Sequence, residues 1–176
     1  MSISVLFFAK SLRVIFPQIV GGVHCYDDGL CTDSKDRLAE ARALYAASAA
    51  RVTQQVGPLR SHPKIVFCSS AECLDGFGLG SRAAFTLGDF GVAVAPRGWK
   101  EFYISHELIH VRQAEEFGNM AMLYKPKWII EGMAYSLSGD SRQPLAEPFE
   151  SWRARFEAWN KSPHTDQFWQ AANKAE

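Results

Sequence analysis

The hydrophobic pattern divides the chain into a β-rich first half and a helical second half. Residues 11–24 carry two apolar runs around Pro17 and close on Gly21-Gly22, which predicts a strand and a turn. A first helix is predicted from Asp33, with Asp33 as its cap and Leu38, Tyr45, Val52 and Val56 as its buried stripe. Gly57-Pro58 stops it. Residues 64–68 read as a short central strand, residues 70–74 as one helical turn, and Gly76, Gly78 and Gly80 as a mobile loop. Residues 83–87 and 91–95 are two strands of a hairpin turning through Gly88-Asp89-Phe90, whose outer strand, if it is an edge, is open to pairing with an extended peptide.

After residue 100 the spacing becomes helical. Ile104, Leu108 and Val111 form the apolar stripe of a helix over 100–117, ended by Gly118-Asn119. Pro126 suits the first position of a second helix, running to about residue 138. A third, over 148–160, carries Phe149, Trp152, Phe156 and Trp159 on one face, as core-packing side chains. Ser162-Pro163 opens a last short helix with Phe168 and Trp169. The expected fold class is α+β, with a small mixed sheet packed against the 100–117 helix and its successor. No repeat or linker interrupts the chain, so residues 1–176 are read as a single domain.

Composition removes several function classes. Apolar residues are 47% and charged residues 22%, as in an ordinary globular protein. Nineteen basic residues balance nineteen acidic ones, and the aromatics do not interleave with Lys and Arg, which argues against nucleic acid as a partner. The apolar stretch 3–9 is too short to span a membrane, and Lys10 and Arg13 interrupt it. Within residues 1–23 it is read as a strand, an interfacial segment or the remnant of a membrane anchor, the last two allowing membrane association. The cysteines fall as two local pairs, Cys25 with Cys31 and Cys68 with Cys73. Two disulfides would place the chain in an oxidising, extracytoplasmic compartment, whether periplasmic, secreted or membrane-anchored. Free thiols in the cytoplasm or a four-cysteine zinc site are the alternatives.

The candidate chemistry lies in the 100–117 helix. His106-Glu107-Leu108-Ile109-His110 sets two imidazoles one turn apart on one face, spaced to grip a single Zn²⁺, with Glu107 beside it as general base. A catalytic zinc needs a third protein ligand. Gln113 and Glu116 stand where a metzincin would need glycine and histidine, so that continuation is excluded. Glu131 on the next helix, set among Trp128, Ile129, Ile130, Met133 and Ala134, is the better candidate. A salt bridge or an exposed face would also explain it. Gly132 costs helix stability, which a close helix-to-helix approach would justify. Tyr135, one turn on, is a candidate contact to His106 or to a transition state, or else a packed tyrosine. His24 and Arg142 are weaker candidates, and Asp140 is a candidate to orient a ligand histidine or to end the helix.

His106-Glu107-x-x-His110 followed by Trp128-x-x-Glu131-Gly132-x-Ala134 resembles the gluzincin group of zinc metallopeptidases, over residues 83–139. The resemblance implies a zincin-like fold and one zinc per chain held by His106, His110 and Glu131. It also implies Glu107 as the water-activating base and a peptide or protein as substrate. The substrate-amine motif of aminopeptidase-like members is missing, so the resemblance does not extend to exopeptidase action. A non-catalytic zinc scaffold or partner-binding domain is the alternative. An amidase using a cysteine ligand is a third, for which Cys68 and Cys73 lack the local motif. Oligomeric state is left open.

Overall fold

The structure is a computed structural model and describes residues 10–162 and 167–176. The three readings of the apolar stretch 3–9 fall outside those residues, as does Pro163; Ser162 does not open the last helix but ends the one before it in extended backbone, and the last helix begins at Phe168. A five-stranded mixed sheet has the order β1-β2-β3-β5-β4, built from β1 (His24–Cys25), β2 (Leu30–Thr32), β3 (Lys64–Phe67), β4 (Ala84–Leu87) and β5 (Gly91–Val94). β2, β3 and β5 are mutually parallel, while β1 and β4 are antiparallel edges. Six α-helices accompany it among the described residues: α1 (Leu38–Val56), α2 (Ala71–Gly76), α3 (Glu101–Phe117), α4 (Lys127–Leu137), α5 (Phe149–Lys161) and α6 (Phe168–Lys174). The expected α+β class with a small mixed sheet is found.

The sheet has a core on each face because side chains alternate along a strand. Ile65 and Phe67 of β3, with Val92 and Val94 of β5, meet Ile104, Leu108 and Val111 of α3, and α1, α4 and α5 join the same core. Val66 and Ala93 point the other way, onto Val14, Val20, Phe77 and Leu79. Each fully buried branched or aromatic side chain contributes roughly 1.5–3 kcal/mol by leaving water, so both layers hold the central strands. The helical layer carries the site, because α3 lies along β4 and α4 packs on α3.

Several expectations are corrected. Residues 12–19 form short 3₁₀ turns, Leu12–Ile15 and Pro17–Ile19, in place of a strand; Pro17 occupies the first position of the second, where its fixed φ suits a turn. Asp33 does not cap α1. Its carboxylate accepts the backbone N–H groups of Ser69 at 2.7 Å and Ser70 at 2.9 Å, tying β2 to the exit of β3. The stripe of α1 is Ala41, Ser48, Val52 and Val56, with Leu38 and Tyr45 only partly buried. The glycine-rich loop is anchored by Phe77 and Leu79, which are fully buried.

The cysteines pair as Cys25–Cys31, across β1 and β2, and Cys68–Cys73, joining the end of β3 to α2. Two disulfides fit an oxidising environment. Among the described residues no helix is long and apolar enough to cross a membrane.

Gly132 does serve a close approach, of α4 to α5. A Cβ built on it would stand 2.3 Å from the Trp152 carbonyl oxygen, a backbone atom that cannot swing aside. Gly132→Ala would gain about 1 kcal/mol of helix propensity but must force the helices apart. A net loss of roughly 1–3 kcal/mol is expected, read as a lower urea midpoint. A variant as stable as the parent would show that the contact relaxes freely.

Candidate metal centre

His106 and His110 project from one face of α3, and Glu131 reaches them from the first half of α4. The two Nε2 atoms are 3.1 Å apart, and Glu131 Oε2 lies 3.5 Å from His106 Nε2 and 3.7 Å from His110 Nε2. Tetrahedral zinc with bonds of about 2.0–2.1 Å separates its ligand atoms by about 3.3 Å, so the three donors sit close to the spacing such an ion needs. These residues form a group able to hold a metal ion. Of the three explanations for Glu131, the exposed face is excluded, since its carboxylate contacts both imidazoles and is only about a quarter exposed.

The orientation of His110 follows from Gln113, one turn further along α3 and fully buried. Its amide nitrogen donates to the carbonyl oxygens of Ile129 at 3.2 Å and Ile130 at 3.0 Å. Carbonyls only accept, so the amide oxygen must face His110 Nδ1, 2.8 Å away, and accept its proton. In the neutral ring that tautomer directs the Nε2 lone pair toward Glu131 and His106. Gln113 thus fixes the ligand tautomer and stitches α3 to α4. Gln113→Ala is expected to weaken the affinity of this group for a divalent metal by about 10- to 100-fold, measured with added zinc by competition with a chromogenic chelator. An unchanged affinity would leave Gln113 as packing alone.

Electrostatics couple the same residues. Burial alone would lower the pKa of His110, but hydrogen bonding and charge from Glu131 outweigh it, with Glu107 and Gln113 adding to the effect, and raise it from 6.5 to about 9. Burial would raise that of Glu131, yet the two histidines hold it well below the usual carboxylate range. Tyr135 is pushed up to about 12 by burial and by the neighbouring Glu131 charge, so its phenol keeps its proton. Its ring meets that of His106 edge-on at 4.5 Å, so the contact to His106 is present.

Glu107 points toward the sheet edge. The Thr86 hydroxyl of β4 lies 2.6 Å from Glu107 Oε2 and 3.0 Å from the Glu107 carbonyl oxygen, which orients the carboxylate beside the metal-binding group. Other candidates are placed elsewhere. His24 is on β1, the sheet edge opposite β4. Asp140 does not orient a ligand histidine: Arg142 donates to both of its oxygens, Nε at 2.9 and 3.0 Å. Arg142 in turn lies over the rings of Phe102 and Tyr103. Phe149 and Trp152 do more than pack the core, since both line the cleft.

That cleft, of about 970 Å³, runs between β4 and the α3–α4 pair and has His106, Glu107, His110 and Glu131 on its walls. Gln113 and Thr86 are the site residues that sequence reasoning missed. A buried amide one turn past His110 on the ligand face was a usable signal for the first; nothing local marked the second. In comparison with known proteins, the chain matches no family model, no curated protein and no solved structure.

Proposed function

We propose that the chain is a zincin-like, zinc-dependent metallopeptidase of the gluzincin type, holding one zinc through His106, His110 and Glu131. The observation that carries this reading is the placement of Glu107 beside a His₂Glu donor group, in a cleft walled by an edge strand. The donor set fits zinc by type, by spacing and by the Gln113-fixed tautomer. A zinc ion held there supplies Lewis-acid polarisation of a carbonyl and lowers the pKa of water. Glu107 takes a proton from water and passes it to the leaving amine. Tyr135, kept protonated, offers a hydrogen-bond donor to the carbonyl oxygen under attack. A purely structural zinc site has no use for a base held by Thr86, which favours the enzyme over the scaffold.

The strand β4 supports a peptide as substrate. Ala95 N–H donates to the Ala83 carbonyl, and inward-facing groups alternate along an antiparallel ladder. Ala83 and Phe85 therefore turn their backbone groups toward β5, and Ala84 and Thr86 turn theirs outward, where an extended peptide can pair with them. The two disulfides support an extracytoplasmic working compartment, whether periplasmic, secreted or membrane-anchored.

The test is elemental analysis of the purified protein followed by a peptide-library screen with and without a zinc chelator. About one zinc per chain and cleavage abolished by the chelator are expected. One zinc without cleavage assigns the scaffold instead, and no zinc after add-back rejects both.

A further inference from the structure

The cleft is polarised along its length. α3 and β4 run side by side in the same direction: Thr86 meets Glu107, and beyond them Asp89 and Asn119 are hydrogen-bonded to each other. The cleft therefore has a fixed axis with the metal-binding group at its middle. One end is lined by Arg82, Arg97 and Arg142, contributed by three separate segments. Arg97 is exposed and makes no ion pair among the described residues. Arg82 lies over the Phe85 ring. Asp140 is the acidic residue there, and its carboxylate is 2% exposed and held by Arg142. Arg142 and Asp140 offset each other, so the exposed Arg97 carries the positive charge of this end.

The other end is apolar and unusually open. Phe90, Met120 and Leu123 are 51%, 69% and 66% exposed and line the cleft, with Lys127 beside them. Large apolar side chains so exposed at the rim of a groove mark a recognition surface.

Resting on the peptidase reading above, we propose that the cleft selects an extended peptide with a large apolar residue before the cleaved bond and an acidic side chain after it. The order follows from strand pairing. Antiparallel addition, the more stable mode, runs the peptide from the Leu87 end of β4 toward Ala84, hence from the apolar end to the arginines. At about 3.3 Å per residue, Arg82 lies some four residues from Thr86 along the strand. The acidic residue accordingly falls about two to four positions past the bond. Arg97 lies on the cleft wall and not at a closed end, which suits a side-chain carboxylate better than a terminal one.

The test uses the zinc-loaded Glu107→Gln protein and fluorescein-labelled, C-terminally amidated decapeptides, read by fluorescence polarisation. The peptide ordered Leu-then-Glu should bind roughly three- to tenfold tighter than its Leu-then-Lys counterpart and than the reversed Glu-then-Leu peptide. The gap should shrink in high salt, and Arg97→Glu should invert the Glu-over-Lys preference. Equal or undetectable binding of the Glu and Lys peptides, a preference untouched by Arg97→Glu, or a requirement for a free C-terminal carboxylate would each overturn the proposal. Failure of the two readings is distinguishable. Zinc-dependent cleavage by the parent protein with no such preference sinks the selectivity alone, whereas the predicted binding with no cleavage sinks the peptidase reading and leaves only the apolar-to-acidic order of the bound peptide.

Discussion

Glu107→Gln is expected to leave about one zinc per chain in place and to slow peptide hydrolysis by about 10²–10⁴-fold. The amide has the shape of the carboxylate, and the Thr86 hydroxyl, 2.6 Å from Oε2, can still donate to the remaining carbonyl oxygen. Neither the fold nor the donor group is disturbed, because Glu107 is not among the three residues whose donors converge. What is removed is the carboxylate that takes the proton from water and passes it to the leaving amine. The measurement is kcat on the best library peptide, with elemental analysis and thermal midpoint in parallel. Turnover within a few-fold of the parent, at full zinc, would mean that Glu107 is not the base. Loss of zinc together with turnover would mean instead that it helps hold the metal.

The parts of the fold that were legible in the sequence are those whose ends are punctuated by residues with strong backbone preferences. α3 closes at Gly118, which takes φ +88°, and α1 at Gly57 with φ +93°; both were placed to within a few residues. The β4–β5 hairpin was readable because Gly88-Asp89-Phe90 separates two apolar runs. β1 and β2 were not seen: two and three residues long, they are too short for an alternation to register, although Asp27-Asp28-Gly29 marks the turn between them. Asp33 shows why a local reading fails where a tertiary bond wins. Beside a predicted helix it looks like a cap, yet the backbone donors it satisfies lie at the exit of β3, 36 and 37 residues along the chain.

The site divides the same way. His106, Glu107 and His110 are visible because one helix places all three, and Glu131 became visible through its apolar surroundings and the Gly132 beside it. Thr86 stayed hidden because its partnership with Glu107 depends on how β4 lies along α3, a distance in space that spacing in the chain does not encode. Asp140 was offered a histidine by its position after α4. Arg142 captures it first, since two residues of turn bring the guanidinium onto both oxygens at once.

Glu131→Gln is expected to lower zinc content from about one per chain to a trace, because two neutral imidazoles lack the carboxylate that completes the donor set. The same substitution should change how zinc binding depends on pH. Glu131 helps raise the folded pKa of His110 from 6.5 to about 9, and the histidines depress that of Glu131 from 4.5. In the zinc-free protein the two contributions fall off at opposite ends of the pH scale. The His110 contribution to stability is fully present below pH 6.5 and is lost as pH rises through about 9. The Glu131 contribution is present above pH 4.5 and is lost as pH falls through its depressed value. Their shared stabilisation is therefore greatest between about pH 4.5 and 6.5. Zinc needs the neutral imidazole, so at pH 7 its binding must expel a proton from His110, and affinity should climb with pH until about 9. The stabilisation gained on adding zinc should accordingly be small at pH 5.5 and large at pH 8.5, measured as a shift in thermal midpoint. Calorimetry in buffers of different ionisation enthalpy should count about one proton released per zinc at pH 7. A zinc shift that is the same at both pH values would show that His110 binds no proton for the metal to displace. A Glu131→Gln protein that still holds a full zinc would reject Glu131 as a ligand.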